Sequence, residues 1–234
     1  MAGVGQRELL LHAVLVGLTP LIPIPFLDDA VKAAIERRLV RRIAAARGRR
    51  LDADEARALT EEPSGNLLVS IGKGIVLFPF KLIFRKLFVV LEVKRASDEA
   101  SKTYHRGYLF DVVLHNDVLA PNGPHTPAQV REALEKVVDA SAVSPLGRSL
   151  AGVFEGSRAM LVQLARSLRR ERRSSVDHAV EEVATRAEGA FGSVLDRMAA
   201  AVAAVPAEHF DGLREHLARE LGVPLAEPSR AATE

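Results

Sequence analysis

Hydrophobic positions recur at helical spacing along almost the whole chain, and no segment alternates convincingly as a strand would. Val31, Ile35, Leu39 and Ile43 repeat every fourth residue and drift slowly around one face. Val130, Leu134, Val137 and Val138 form a second stripe. Leu150, Val153, Phe154, Leu161, Leu164 and Leu168 form a third, and Val180, Val183, Ala187, Phe191, Val194, Leu195 and Met198 a fourth. The pattern predicts an all-α, multi-helix bundle of about seven to nine helices, with very apolar N-terminal helices.

Local punctuation sets the expected boundaries. A first apolar helix spans roughly 6–19 and ends in a turn stiffened by Pro20, Pro23 and Pro25. The next starts at Asp28 or Asp29, where a helix dipole favours negative charge, and stops at Gly48. Asp52 and Glu55 have the spacing of a capping box for a short helix ending near Leu59. Helices are expected at about 66–78 and 80–95, with a new one opening at Ser97-Asp98-Glu99 and reaching Leu119. Thr126-Pro127 and Ser144-Pro145 each pair an N-cap with proline at the first helical position. A helix at about 175–203 and a last one from Pro206 to Leu221 complete the series. Residues 1–120 then form an apolar N-terminal region with a membrane-contacting face. Residues 124–221 pack on it, and 222–234 form a disordered tail.

Two stretches are too apolar for ordinary surface helices. Leu9 to Leu27 is nineteen residues without a formal charge. It lacks the basic flank and cleavage site of a signal peptide, and its prolines break the last third of any spanning helix. The second stretch, Phe78 to Phe88, reads FPFKLIFRKLF. On a helical wheel of 80–95, Lys81, Arg85, Glu92 and Arg95 share one stripe and apolar side chains cover nearly all the rest, with Lys86 the single break. Exposing such side chains costs on the order of 1.5–3 kcal/mol each, so this helix needs cover on most sides. The cover is either protein, which makes it the centre of a bundle, or lipid.

Charge favours lipid at an anionic surface. Residues 1–50 carry a net +5, and eight basic against three acidic residues lie between Lys73 and Arg106. Phe78, Phe80, Phe84 and Phe88 are the expected inserting residues, with Lys81, Arg85 and Lys86 for headgroups and Arg37, Arg38, Arg41 and Arg42 as a second basic contact. An overall charge of +2 argues for no nucleic acid, and the Arg run 166–173 lacks aromatic neighbours for base stacking. Zero cysteines exclude disulfides and thiolate metal sites.

The apolar helix, the Pro23-Ile24-Pro25 turn and the acidic start at Asp28-Asp29 resemble the helical hairpin regions attached to some membrane-associated bacterial GTPases. The resemblance covers about thirty residues. It does not extend to a P-loop, because Gly72-Lys73-Gly74 lacks the spacing that cradles phosphates.

Candidate chemistry is sparse. Asp111 and His115 are four apart and stack on one helix face, a weak metal pair that needs ligands from another helix. Without those, they read as an intrahelical Asp–His pair. His209 and His216 share a face of the last helix and read as surface or half-buried histidines. Gly147, Gly152 and Gly156 suggest close backbone approach to a neighbour. No catalytic constellation and no cofactor motif emerges. The expected function is therefore non-enzymatic: a peripheral membrane-associated anchor or scaffold, cytoplasmic or at the inner membrane face, with a protein partner. The alternative is a soluble helical interaction module, one that encloses an apolar ligand.

Overall fold

The computed structural model describes residues 5–19, 27–61, 85–120, 123–141, 145–157, 180–181, 184–185 and 192–228; for 27–29 and 85–93 it describes the backbone alone. Among the described residues the protein is all-α, with eight helices and no strand. They are α1 Gln6–Gly17, α2 Leu27–Ala46, α3 Ala53–Thr60, α4 Arg85–His115, α5 Pro127–Ala140, α6 Pro145–Gly156, α7 Gly192–Ala203 and α8 Ala207–Leu221.

Most boundaries follow the expected chemistry. Asp52 accepts from the Glu55 amide while the Glu55 carboxylate accepts from the Asp52 amide, so the capping box forms at both ends. Thr126 and Gln129 close a second box, with Pro127 following the cap. Gly222 ends α8 at φ 64° and Gly48 follows α2 at φ 76°, both in the left-handed region where glycine carries no Cβ penalty.

One boundary was misplaced. Ser97-Asp98-Glu99 does not open a helix, because α4 runs through it unbroken for 31 residues. Ser97 donates to the Lys94 carbonyl (2.8 Å) and Thr103 to the Glu99 carbonyl (2.9 Å). Both hydroxyls thus bond back into their own helix instead of capping a new one. The expected helix 66–78, most of 80–84, and the continuation of α6 from 158 to 168 lie outside the described residues. Of the segment 175–191, the described residues 180–181 and 184–185 are helical.

Helix α1 is the centre of the bundle. Every residue from Leu9 to Gly17 is buried, so the helix has no solvent face, as expected for one that is apolar all round. It packs on α2, α4 and α7. Protein is therefore the cover for the described part of the first apolar stretch, Leu9 to Thr19. No helix among the described residues is long and apolar enough to cross a membrane.

The α1–α4 seam is tight and antiparallel. A Cβ on Gly17 would lie 2.7 Å from the Ala96 carbonyl and 2.8 Å from the Phe154 ring, and one on Gly107 would lie 2.9 Å from a Leu9 methyl. These are the close backbone approaches of the fold. Of the glycines expected to provide them, Gly152 faces open space, and Gly156 meets only the end of the Arg197 side chain.

The last helix is followed by an ordered stretch. Asn116 exchanges two hydrogen bonds with the backbone of Ala226 (2.8 and 3.0 Å), and Pro228 is buried. Residues 222–228, expected to belong to a free tail, are thus held against the end of α4.

Candidate functional site

Helix α4 is the shared wall of two polar neighbourhoods. Along α2, which runs parallel to it, three ion pairs lace the seam: Lys32–Glu99 at 2.6 Å, Glu36–Arg106 at 2.6 Å and Arg47–Asp111 at 2.6 Å. The last is bidentate, with Nε of Arg47 also donating to Asp111 at 2.8 Å. The same guanidinium donates to Nδ1 of His115 at 3.2 Å. Asp111 and His115 do share a face, and there both meet the guanidinium of Arg47. Among the described residues no group of three metal-ligating side chains gathers. Arg49 donates to the Leu119 carbonyl and pairs with Glu55 (3.0 Å), closing that end of the bundle with positive charge where helix carbonyls end.

On the opposite side of α2 lies a denser network. Arg38 is nearly fully buried. It donates through Nε and Nη2 to the Glu181 carboxylate at 2.7 and 3.3 Å, and through Nη1 to Nε2 of His12 at 2.7 Å. His12 Nδ1 donates to the Glu8 carbonyl at 2.8 Å, one turn back on α1. That bond fixes the tautomer: Nδ1 carries the proton, and Nε2 accepts from the guanidinium. Burial holds the His12 pKa down to about 4, with Arg38 and Arg42 acting in the same direction. The Arg38 hydrogen bond holds the Glu181 carboxyl below its usual range. Arg42 joins from the surface, 3.1 Å from Glu181 and 3.7 Å from Glu8.

The four arginines expected at lipid headgroups therefore differ in placement. Arg38 faces the interior. Arg37 pairs with Glu61, Arg42 shares Glu8 and Glu181, and Arg41 is exposed. Sequence spacing could not separate them, since their partners Glu61 and Glu181 come from 24 and 143 residues away.

The second neighbourhood joins α4 to α8. Nε2 of His105 lies 3.0 Å from Nε2 of His209. Phe210 meets the rings of Tyr104, Tyr108 and both histidines edge-on, at centroid distances of 5.2–6.3 Å. Burial, and then the neighbouring His209, push the His105 pKa down to about 3; burial lowers that of His209 as well. Sequence analysis singled out His209 but not His105, and the i, i+7 pairing with His216 does not form a site. His216 instead lies 3.4 Å from Glu220 on its own helix.

Of the residues expected to contact lipid through this segment, Phe78, Phe80, Lys81 and Phe84 lie outside the described residues. Arg85, Lys86 and Phe88 lie on the first turns of α4, where the backbone alone is described. Their place along the bundle still follows from topology. Gly17 crosses α4 at Ala96 and Gly107 meets Leu9, so α1 and α4 are antiparallel. Helix α4 begins eleven residues before Ala96, about 16 Å past the C-terminal end of α1 at 1.5 Å per residue. Lys32 pairs with Glu99, which sets the start of α2 near that same level. The end of α1 and the starts of α2 and α4 thus share one pole, opposite the arginine-closed end.

No family model matches this chain, and no curated protein or solved structure does either.

Proposed function

We propose that this protein is a non-enzymatic, peripheral membrane-associated helical bundle that docks on an anionic bilayer by one pole and anchors or scaffolds a partner there. The topology of that pole carries the reading. The connection between α1 and α2 contains Leu21, Ile22, Ile24 and Phe26, and the segment entering α4 contains FPFKLIFRKLF. Both attach where α1 ends and α2 and α4 begin. Lys94 and Arg95, nearly two turns further along α4, are exposed. Apolar side chains ringed by cationic ones suit acyl chains and anionic headgroups together. Phe78, Phe80, Phe84 and Phe88 are assigned to insertion, and Lys81, Arg85 and Lys86 to headgroups. Arg41 and Arg42 are on the exposed side of α2; Arg37 and Arg38 would act from within, by holding that helix in place.

A second reading draws on α1. The bundle already encloses one helix that is apolar all round, so a soluble interaction module with the 80–95 helix as a further buried element uses the same physics.

Vesicle flotation separates the two. On the membrane reading the full chain floats with vesicles containing 30 mol% phosphatidylserine at low salt, and less with pure phosphatidylcholine. Replacing Phe80, Phe84 and Phe88 together by Ser then abolishes flotation and leaves the helical circular dichroism in place. If the wild-type chain stays at the bottom of the gradient with anionic vesicles, the membrane reading is wrong. Loss of fold in the triple variant would favour the buried role.

A further inference from the structure

We propose that the His105–His209 contact is an acid-released latch that holds α8, and the segment following it, against α4. Two neutral imidazoles 3.0 Å apart share one N–H···N bond, so one ring donates and the other accepts. A second proton on the pair would set two N–H groups against each other, and the contact must then part. Even a first added proton places a charge among aromatic rings, with His105 almost fully buried.

Among the described residues no counter-charge pairs with the two rings. On α4 the neighbouring titratable side chains are Tyr104 and Tyr108, and the Arg106 guanidinium is drawn to Glu36 of α2. On α8, Phe210 lines the contact and Asp211 pairs with Arg214 at 3.0 Å. Helix α5 packs on both; its Asp139 pairs with Lys102, Lys136 with Glu220 and Arg131 with Glu135, and its Glu132 is exposed to solvent. Burial and His209 are the influences on His105, and both oppose its charging.

Helix α8 is suited to release. Its N-cap Pro206 makes no side-chain capping bond. Beyond it, residues 222–228 are tied to α4 by Asn116 and to α8 by Arg214–Glu227. Opening would uncover the Tyr104–Tyr108 face of α4 and free the C-terminal stretch, while the α1–α2–α4 centre keeps its packing. The inference is independent of the membrane reading.

The test is amide hydrogen exchange of the full chain from pH 7.5 to 4.5, corrected for intrinsic rates and resolved by helix. The open population of α8 should rise up to tenfold per pH unit below about 6.5, while α1 stays protected. In His105→Phe, which keeps an aromatic ring in the site and removes the more buried of the two titrating rings, most of that slope should be lost. In His209→Gln, which removes one of the two titrating rings, it should fall. A wild-type α8 whose opening ignores pH, a His105→Phe chain with the full slope, or α1 opening in step with α8 would each overturn the proposal. Should His105→Phe fail to fold, the ring resonances of the wild-type protein decide. If His105 takes up a proton while α8 amides remain protected, there is no latch.

Discussion

The two buried imidazoles sit on opposite sides of the same bundle and are held by opposite chemistry. His12 is locked by charge: a carbonyl fixes its tautomer and a guanidinium bonds its free nitrogen. His105 is held by a second imidazole and a group of aromatic rings. Both are kept neutral, but what each stabilises differs. His12 belongs to a network that ties α1, α2 and residue 181 together, and Arg38 is its hub. His105 belongs to a contact between just two helices. A guanidinium cannot lose its charge, so acid reaches the first site only through the His12 imidazole and the Glu181 carboxylate, whose pKa values Arg38 holds down. The second can be disturbed by either ring. The central network is thus built to persist, and the α4–α8 contact to yield first.

Acid gives the largest expected effect on this comparison. Both folded-state pKa values lie below the usual 6.5, so the unfolded chain binds more protons than the folded one between those limits. Stability is complete above pH 6.5 and declines as pH falls towards about 4. Each imidazole contributes about 1.4 kcal/mol per pH unit. Urea melts at pH 7 and pH 5 should therefore differ by about 4 kcal/mol. His12→Gln should halve that difference, and an unchanged difference would show that His12 is not kept neutral by the fold. Replacing the hub comes next. Arg38→Met should cost about 3 kcal/mol, less than the upper end for breaking a buried pair because Glu181 is half exposed. Its removal should also raise the His12 pKa, visible in a ring-resonance titration. Packing beside the network is tested by Gly17→Ala, expected to cost about 2 kcal/mol because the new methyl meets a backbone carbonyl. Gly107→Ala should cost less, since it meets side-chain methyls that can move. The smallest effect serves as a control: Thr126→Ala removes the α5 cap for about 1 kcal/mol and should leave the acid slope unchanged.

What could be read from the sequence was what short-range chemistry determines. The Asp52–Glu55 box, the Thr126-Pro127 start, the Gly48 stop and the period of each stripe depend on residues within a few positions of each other. The continuity of α4 was missed because Ser97 is as good a cap as it is a buried back-bonding residue, and only its neighbours decide. The site was less legible still. The partners of His12 and His105 lie 26 and 104 residues away. A lone histidine in an apolar helix, such as His12 within LLLHAVL, carries no signal of what it will meet. His12 passed unremarked for that reason, and Arg38 read as one more member of a basic stripe.

The central claim about function is that one pole of the bundle meets the bilayer. The absence of cysteine makes a site-specific probe straightforward. A single cysteine at position 88, labelled with an environment-sensitive fluorophore, should shift to the blue and become quenched by bromolipid when anionic vesicles are added. The same label at position 117, near the arginine-closed end, should stay unchanged. Equal responses at the two positions, or none at 88, would contradict the account.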